Sequence, residues 1–438
     1  MKLEVSIGEA IDKLSILEIK LLKISDEKKK TEIKKEIEAL SQCLQYKSKY
    51  EFYYNLLVYV NEKIWTSTDI IKSITIDNPQ FATISNDIFN LNQKRFRLKN
   101  LFNILINSNI KEQKSYASTH CKIYVENQDI FFNKLPEINY LALEYDILTF
   151  DSPDINVIQE FLKIPTIIYD REGEKLLNQP ININLEHFSI PSNELIDNFS
   201  LKPITYIVGG MFGDFIQVLS VICEKFYETG KKGILYISNR GDIFRNGLEN
   251  TFNDTYNVIL KQNYIHSYKI YNNESYDIDL TSWRNSPKLY KENWYHIFKE
   301  VYNIDWGKHI WLKVPNNDIW KDKIIVNTTN YRFPNTVNFK SLKEIYRDDL
   351  IFISTDKNQH NFFENNAGIR IHYYEFKSFL DLVTIISSCK LFIGSLSAPL
   401  SIAHSLHKDR IIGFKSDNND CFMNLKLDEF LPNIRYNI

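Results

Sequence analysis

The chain is short of the residues that break or staple a fold. Its 438 residues hold 13 Gly, 12 Pro, 3 Met and 5 Cys. Cys43, Cys121, Cys223, Cys389 and Cys421 are odd in number and far apart, with no CxxC pair. That excludes a disulfide framework and a zinc ribbon, and a reducing compartment is expected. No excess of one charge is present: 53 Lys and Arg stand against 55 Asp and Glu, a net charge of -2. A basic face for nucleic acid is therefore not expected. No apolar run approaches the roughly 18 residues of a membrane span. The first twenty residues carry scattered charge and no small-residue cleavage site, so no signal peptide is read there and a cytoplasmic location is expected. HExxH, GxSxG and P-loop lysine motifs are all missing, which removes the zincin, nucleophile-elbow hydrolase and P-loop kinase readings. No metal site is expected.

Hydrophobic residues make up 44% and charged residues 25%, as in an ordinary globular protein. At roughly 150 residues per domain the length allows two to four. The fold class read from the chain is α/β and multi-domain. Four segments are expected: a helical domain over 1–115, a small α/β module and linker over 116–200, and two Rossmann-like domains over 201–320 and 321–438.

Ser6 and Glu9 form a capping box ahead of Ile7, Ile11, Leu14, Leu17 and Leu21 at helical spacing. Ser25 is placed as the cap of one long helix from Asp26 to about Lys63. Asp77, Asn78 and Pro79 break the chain before a third helix to about Asn107. Such stripes serve as a core or as a dimer seam, so a homodimer through these helices is one expected partner. The opening SIGEAIDKLSILEIK resembles a bacterial helical domain family of unknown function, which implies no chemistry.

Between Lys122 and Leu201, strands are expected at Lys122–Glu126, Tyr140–Phe150 and Pro165–Tyr169, a helix over Pro153–Leu162, a turn at Asp170–Gly173, and a polar loop from Asn178 to Ser200. Asp146, Asp151 and Asp154 near the strand ends read as turn and cap carboxylates.

The stretch from Pro203 to Gly230 organises the C-terminal half. Ile204, Tyr206, Ile207 and Val208 make a buried-strand run. Gly209, Gly210 and Gly213 follow, three glycines within five positions of a glycine-poor chain. The period then turns helical through Phe215, Val218, Leu219, Ile222 and Phe226. Asp214 stands at the mouth of this strand-to-helix crevice, where open α/β sheets take ligands. A plain tight turn with a carboxylate at a helix N-terminus explains the same residues. Further elements are expected at Lys232–Ser238 (strand), Ile243–Phe252 and Pro287–Tyr302 (helices), and short apolar pieces around Ile259 and Ile270. A second set expects strands at Lys323–Asn327, Leu350–Ser354, Ile369–Tyr374, Lys390–Gly394 and Arg410–Phe414. Its helices fall at Leu342–Tyr346, Phe379–Ser388 and Pro399–Leu406. Strands alternating with helices imply parallel sheets with right-handed crossovers. Arg240 and the pair Trp283 and Arg284 lie in loops at strand ends; cleft-lining and simple turn-packing roles are both open to them.

Two stretches carry a further resemblance. IVGGMFGDFIQVLSVI (Ile207–Ile222) resembles the N-terminal glycine loop of heptosyltransferase-like glycosyltransferases of family nine. CKLFIGSLSAPLSIAHSL (Cys389–Leu406) resembles the donor-side motif of their second domain. The resemblance spans about half the chain. It implies the GT-B architecture, two Rossmann-like domains with the active site between them. It further implies that Asp214 is the base that deprotonates an acceptor hydroxyl, and that Ser395, Ser397, Ala398 and Pro399 bring helix N–H groups to a nucleotide diphosphate. Arg332 matches the basic residue that pairs with phosphate. A nucleotide-sugar donor and a saccharide or other hydroxyl acceptor are the implied partners, with no cofactor or metal required. The chain departs from the family pattern at Leu396 (acidic there), Ser401 (His there) and Ala398 (Gly there), with His404 one helical turn beyond Ser401. These departures keep open a catalytically silent nucleotide-sugar or glycan-binding scaffold, and a purely structural helical oligomer.

Overall fold

A computed structural model describes residues 4–110, 119–163, 180–190, 201–289, 291–413 and 434–436. The chain divides into two compact units, Met1–Leu201 and Lys202–Ile438.

The first unit opens with α1 (Ile7–Lys23), and Ser6 Oγ accepts from Glu9 N–H at 3.2 Å as the capping box requires. The expected single long helix is instead α2 (Glu27–Ala39), α3 (Leu44–Lys49) and α4 (Glu51–Ser73), with a turn at Ser41–Cys43. Asp26, not Ser25, caps α2 by accepting from Lys28 and Lys29 N–H. The break at Tyr50 has a packing cause. Its ring turns inward against Phe102 and its hydroxyl donates to the Leu105 carbonyl at 3.1 Å. Asn78 caps α5 (Pro79–Leu105). Next come β1 (His120–Tyr124), α6 (Gln128–Asn133), α7 (Leu135–Glu144), β2 (Ile147–Asp151), α8 (Ile155–Leu162) and β3 (Ile181–Asn184). The expected strand at Tyr140–Phe150 is thus half helix. Pro136 sits in the first turn of α7, and Leu135, Ile138 and Leu141 repeat every three residues toward the core. Strand β3 lies where only a loop is expected, and the sheet order is β2-β1-β3, all parallel. The strand at Pro165–Tyr169, the turn at Asp170–Gly173, Phe414 and Cys421 lie outside the described residues.

The opening motif is spent on packing. Gly8 lets α1 touch α5: its N–H donates to Asn103 Oδ1 at 2.7 Å, and a Cβ there would collide with the Lys99 carbonyl oxygen. Asp12, buried, takes both Arg95 Nε and Nη2 and also Asn61 Nδ2 at 2.8 Å. Ser15 Oγ accepts from the same Asn61 at 2.7 Å. Three helices are tied by one satisfied carboxylate, the condition under which a buried charge is tolerated.

The second unit is two parallel α/β sets. The first runs β4 (Ile204–Val208), α9 (Phe212–Thr229), β5 (Gly233–Ile237), α10 (Leu248–Ile259), β6 (Ile265–Ile270), β7 (Ile278–Asp279) and α11 (Trp294–Tyr302). The second runs β8 (Ile324–Asn327), α12 (Phe339–Tyr346), β9 (Leu350–Ile353), α13 (Lys357–Ala367), β10 (His372–Tyr374), α14 (Phe379–Ser388), β11 (Leu391–Gly394), α15 (Ala398–Ser405), β12 (Arg410–Ile412) and β13 (Ile434–Tyr436). Their sheets are separate, ordered β6-β5-β4-β7 and β10-β9-β8-β11-β12-β13. Every pairing is parallel, so the α/β class and the two Rossmann-like sets hold. Four helices differ from expectation, α12 by starting three residues early behind its Asn338 cap. α10 starts five residues late, because Gly247 at φ 82 ends the loop before it. α11 covers only the end of Pro287–Tyr302, capped by Asn293. α13 is unforeseen: its sequence KNQHNFFENNA buries only His360, Phe363 and Glu364, too few to mark a stripe.

Trp311 joins the two sets. Its N–H donates to the Ser405 carbonyl at 3.0 Å and its Nε1 to the Ile216 carbonyl at 2.8 Å, while its own carbonyl accepts from Tyr264 Oη at 2.5 Å. The side chain is wholly buried. Trp311→Ala is expected to cost about 3–5 kcal/mol, read as a lower urea midpoint by far-UV circular dichroism.

Candidate functional site

Sheet order alone locates the crevice. From β4 the first sheet grows to one side through β5 and β6 and to the other through β7. From β8 the second grows to one side through β9 and β10 and to the other through β11. Helices leave opposite faces at such a switch, and a crevice opens at the carboxyl ends of the strands. The loop after β4 is Gly209–Met211, the loop after β7 holds Trp283 and Arg284, that after β8 holds Thr328 to Arg332, and that after β11 holds Ser395 to Ser397. The candidate residues therefore sit at two switch points.

The two crevices meet. The first turn of α9 packs on the first turn of α15: a Cβ on Gly213 would lie 3.4 Å from Ala398 Cα and 3.2 Å from Ser401 Oγ. One turn deeper, buried Gln217 Nε2 donates to Ser401 Oγ at 3.3 Å and meets His404 Nδ1 at 2.6 Å. Neither helix is capped by a side chain. Ser397 occupies the cap position of α15, but its hydroxyl donates to the Ser395 carbonyl at 3.0 Å. Pro399 has no N–H to satisfy. Two helix N-termini with outward N–H groups thus converge, a positive locus suited to an anion.

Charged side chains complete it. Asp214, in the first turn of α9, accepts from Arg284 Nη2 at 2.7 Å, and both side chains are partly buried. Burial pushes the Asp214 carboxyl above its ordinary value of 3.8; Arg284 and Arg332 oppose this, and Asp242 reinforces it. Arg332 Nη1 donates to the Leu396 carbonyl at 3.0 Å, which draws its guanidinium to the start of α15. The apolar side chain at 396 is thus accompanied by a backbone acceptor that Arg332 uses.

Other expected residues have different engagements. Arg240 is held by Asp279, Nε to Oδ2 at 2.6 Å, and lies over the Tyr276 ring. Asp279 belongs to β7, so a carboxylate beside the loop claims this arginine. Gly209 is the point where the β4 loop crosses the backbone of Arg240, with no room for a Cβ. Trp283 is 4% exposed, with its ring edge-on to Trp294 at 4.8 Å and Arg284 over its face at 4.5 Å. It offers no open face to a sugar. His404 is buried against Gln217 and Trp306, away from a phosphate-facing role.

Residues 1–131 match the model of a family of unknown function, DUF6165. No curated protein matches the chain. Among solved structures, a glycosyl transferase family 9 protein from Veillonella parvula is similar at 10% identity and a TM-score of 0.36, covering 54% of this chain and 87% of its own. The ADP-heptose lipopolysaccharide heptosyltransferase II of E. coli is similar at 9% and 0.36, over 53% and 89%. A candidate UDP-N-acetylglucosamine 2-epimerase from Listeria monocytogenes is similar at 13% and 0.26, over 49% and 79%. At such identities the likeness does not reach individual residues, and the site rests on its own geometry. Among the described residues no group of three or more His, Cys, Asp or Glu could hold a metal ion, and no helix is long and apolar enough to cross a membrane.

Sequence reasoning missed two polar side chains here, Thr329 and Gln217. Ser395, expected at the donor side, has a fully buried Oγ with no hydrogen-bond partner among the described residues, and the Thr329 Oγ1 atom just beyond the neighbouring strand is also buried without one. Gln217 is one of three polar residues, with Ser220 and Glu224, buried along α9, a signal that could have flagged it.

The Asp214 shift has a stability consequence. A carboxyl whose folded value is raised stabilises the fold fully below the ordinary 3.8 and loses that contribution as pH rises through its folded value. The melting temperature of Asp214→Asn minus that of wild type is therefore expected to grow as pH climbs from 3.5 to neutrality, measured by scanning calorimetry. A flat difference would contradict the shift.

Proposed function

We propose that the second unit is a glycosyltransferase that moves a sugar from a nucleoside diphosphate to a hydroxyl of a glycan or other acceptor. The observation that supports it is the pairing, across two switch points, of one base-capable carboxylate with two uncapped helix ends and an arginine.

In this reading Asp214 takes the proton of the acceptor hydroxyl as its oxygen attacks the anomeric carbon. The bond from that carbon to the diphosphate breaks, and the electron pair leaves with the nucleoside diphosphate. A carboxylate of raised proton affinity suits the first role. The N–H groups of Ala398 and Leu400, with Arg332, take up the charge that develops on the leaving oxygen. Ser395 and Thr329, in the loops that follow β11 and β8, carry buried hydroxyls with no partner among the described residues. The motif resemblance of Ile207–Ile222 and Cys389–Leu406 points the same way.

A silent nucleotide-sugar-binding scaffold is the second reading, and the apolar Leu396 where the family carries an acid favours it. The same experiment separates the two. UDP, GDP, ADP and CDP are each titrated in a thermal-shift assay, and the donor built on the stabilising nucleotide is followed for turnover. One nucleoside diphosphate is expected to raise the melting temperature. Arg332→Ala should weaken that binding about tenfold or more, because a charge-assisted hydrogen bond contributes roughly 1.5–3 kcal/mol. Asp214→Ala should keep the binding and lower turnover about 10²–10⁴-fold. Binding without turnover in wild type would favour the scaffold, and no binding by any nucleotide would overturn both.

A further inference from the structure

Arg284 reaches Asp214 from a part of the fold that the transfer scheme above does not use. It stands in a short helical turn, Ser282–Asn285, two residues beyond β7. The turn is rigid for identifiable reasons. Trp283 N–H donates to Tyr302 Oη at 3.2 Å, and the buried Trp283 ring is wedged against Trp294. The guanidinium carbon lies over that ring, 4.5 Å from its centroid, so the side chain is held by a cation–π contact as well as by its partner. The space it fills is left by Gly210. That residue has φ 99, and a Cβ on it would stand 2.5 Å from Arg284 Nη2. Only glycine combines that backbone geometry with that vacancy. The bond itself engages one carboxylate oxygen, Oδ2.

We infer that Arg284 is a positioning residue for Asp214: it anchors Oδ2, leaves Oδ1 for the acceptor hydroxyl, and keeps the carboxylate ionised in a partly buried cleft. This rests on the reading of Asp214 as the base. Without the counter-ion the neighbours of Asp214 are Asp242, which disfavours its charge, and Arg332, which is committed to the Leu396 carbonyl. Without Arg284, burial and Asp242 both favour the protonated carboxyl, the form that cannot take another proton. Arg284 also keeps the proton affinity from rising so far that the carboxylate would be lost, and Trp283 beneath it excludes water from one side of the pair.

The test follows the titration of Asp214 first without and then with turnover. Melting temperatures of each protein and its Asp214→Asn partner are measured from pH 3.5 to 8 in three backgrounds: wild type, Arg284→Gln and Gly210→Ala. Subtracting each pair cancels the titration of groups that do not interact with Asp214. The midpoint of the difference is expected to rise by about one to three pH units in Arg284→Gln. It should move the same way in Gly210→Ala, which alters no titratable group; its Cβ displaces the guanidinium and also strains the backbone at φ 99. Arg284→Lys, which keeps the cation, should restore most of the wild-type midpoint. The acid limb of kcat for the nucleotide-sugar donor should move up in step, with the donor KM changed less than about threefold. Midpoints unmoved in both Arg284→Gln and Gly210→Ala would overturn the inference. Midpoints that move while the acid limb stays put would uphold Arg284 as the counter-ion and overturn Asp214 as the base.

Discussion

The second unit depends on a close approach between two helix beginnings. α9 and α15 meet at their first turns, where a Cβ at position 213 would be a tight fit, 3.2 Å from Ser401 Oγ and 3.4 Å from Ala398 Cα. Behind that contact Gln217 bridges Ser401 and His404, and Trp311 ties the Ile216 and Ser405 carbonyls together. The arrangement brings the two positive helix ends to one place and fixes which loops surround them. It also carries an electrostatic cost, since two like dipole ends face a common region. A negative charge relieves that cost. Asp214 supplies one, and an anionic ligand would supply another.

The polar groups divide accordingly. Deep in the contact Gln217 Nε2 engages Ser401 and His404, while Gln217 Oε1 is buried with no hydrogen-bond partner among the described residues. At the mouth the polar groups are half-satisfied: Arg332 rests on a carbonyl, Ser397 on another, and Ser395 and Thr329 carry buried hydroxyls with no partner among the described residues. Unsatisfied polar atoms are uncommon in native proteins and gather where a ligand or water completes them.

Much of the fold was legible in the residues. β4, its glycine turn and α9 declare themselves through an apolar run, three clustered glycines and a change of period. Alternating strands and helices gave the parallel sheets. Elements with weak periodicity were not legible: α13 is too polar, and α7 shares an apolar run with β2, so only Pro136 separates helix from strand. The break at Tyr50 follows from a tertiary contact with Phe102 that no local pattern encodes. At the site, Asp214 was readable from its position after a strand and a glycine turn. Arg332 and Ser397 came only through a family resemblance. The Asp214–Arg284 pair joins residues 70 positions apart, and the platform that aims it is assembled from Trp283, Trp294 and Tyr302. The opening motif of the chain proved to encode packing: Gly8, Asp12 and Ser15 each have a structural partner.

The most direct measurement is a crystal structure of the full chain with the nucleoside diphosphate that stabilises it. The account predicts the diphosphate at the start of α15, within hydrogen-bond reach of the Ala398 and Leu400 N–H groups and of Arg332, with the Asp214 carboxylate facing the terminal phosphate. A diphosphate bound elsewhere, or one with Asp214 turned away from it, would contradict the account.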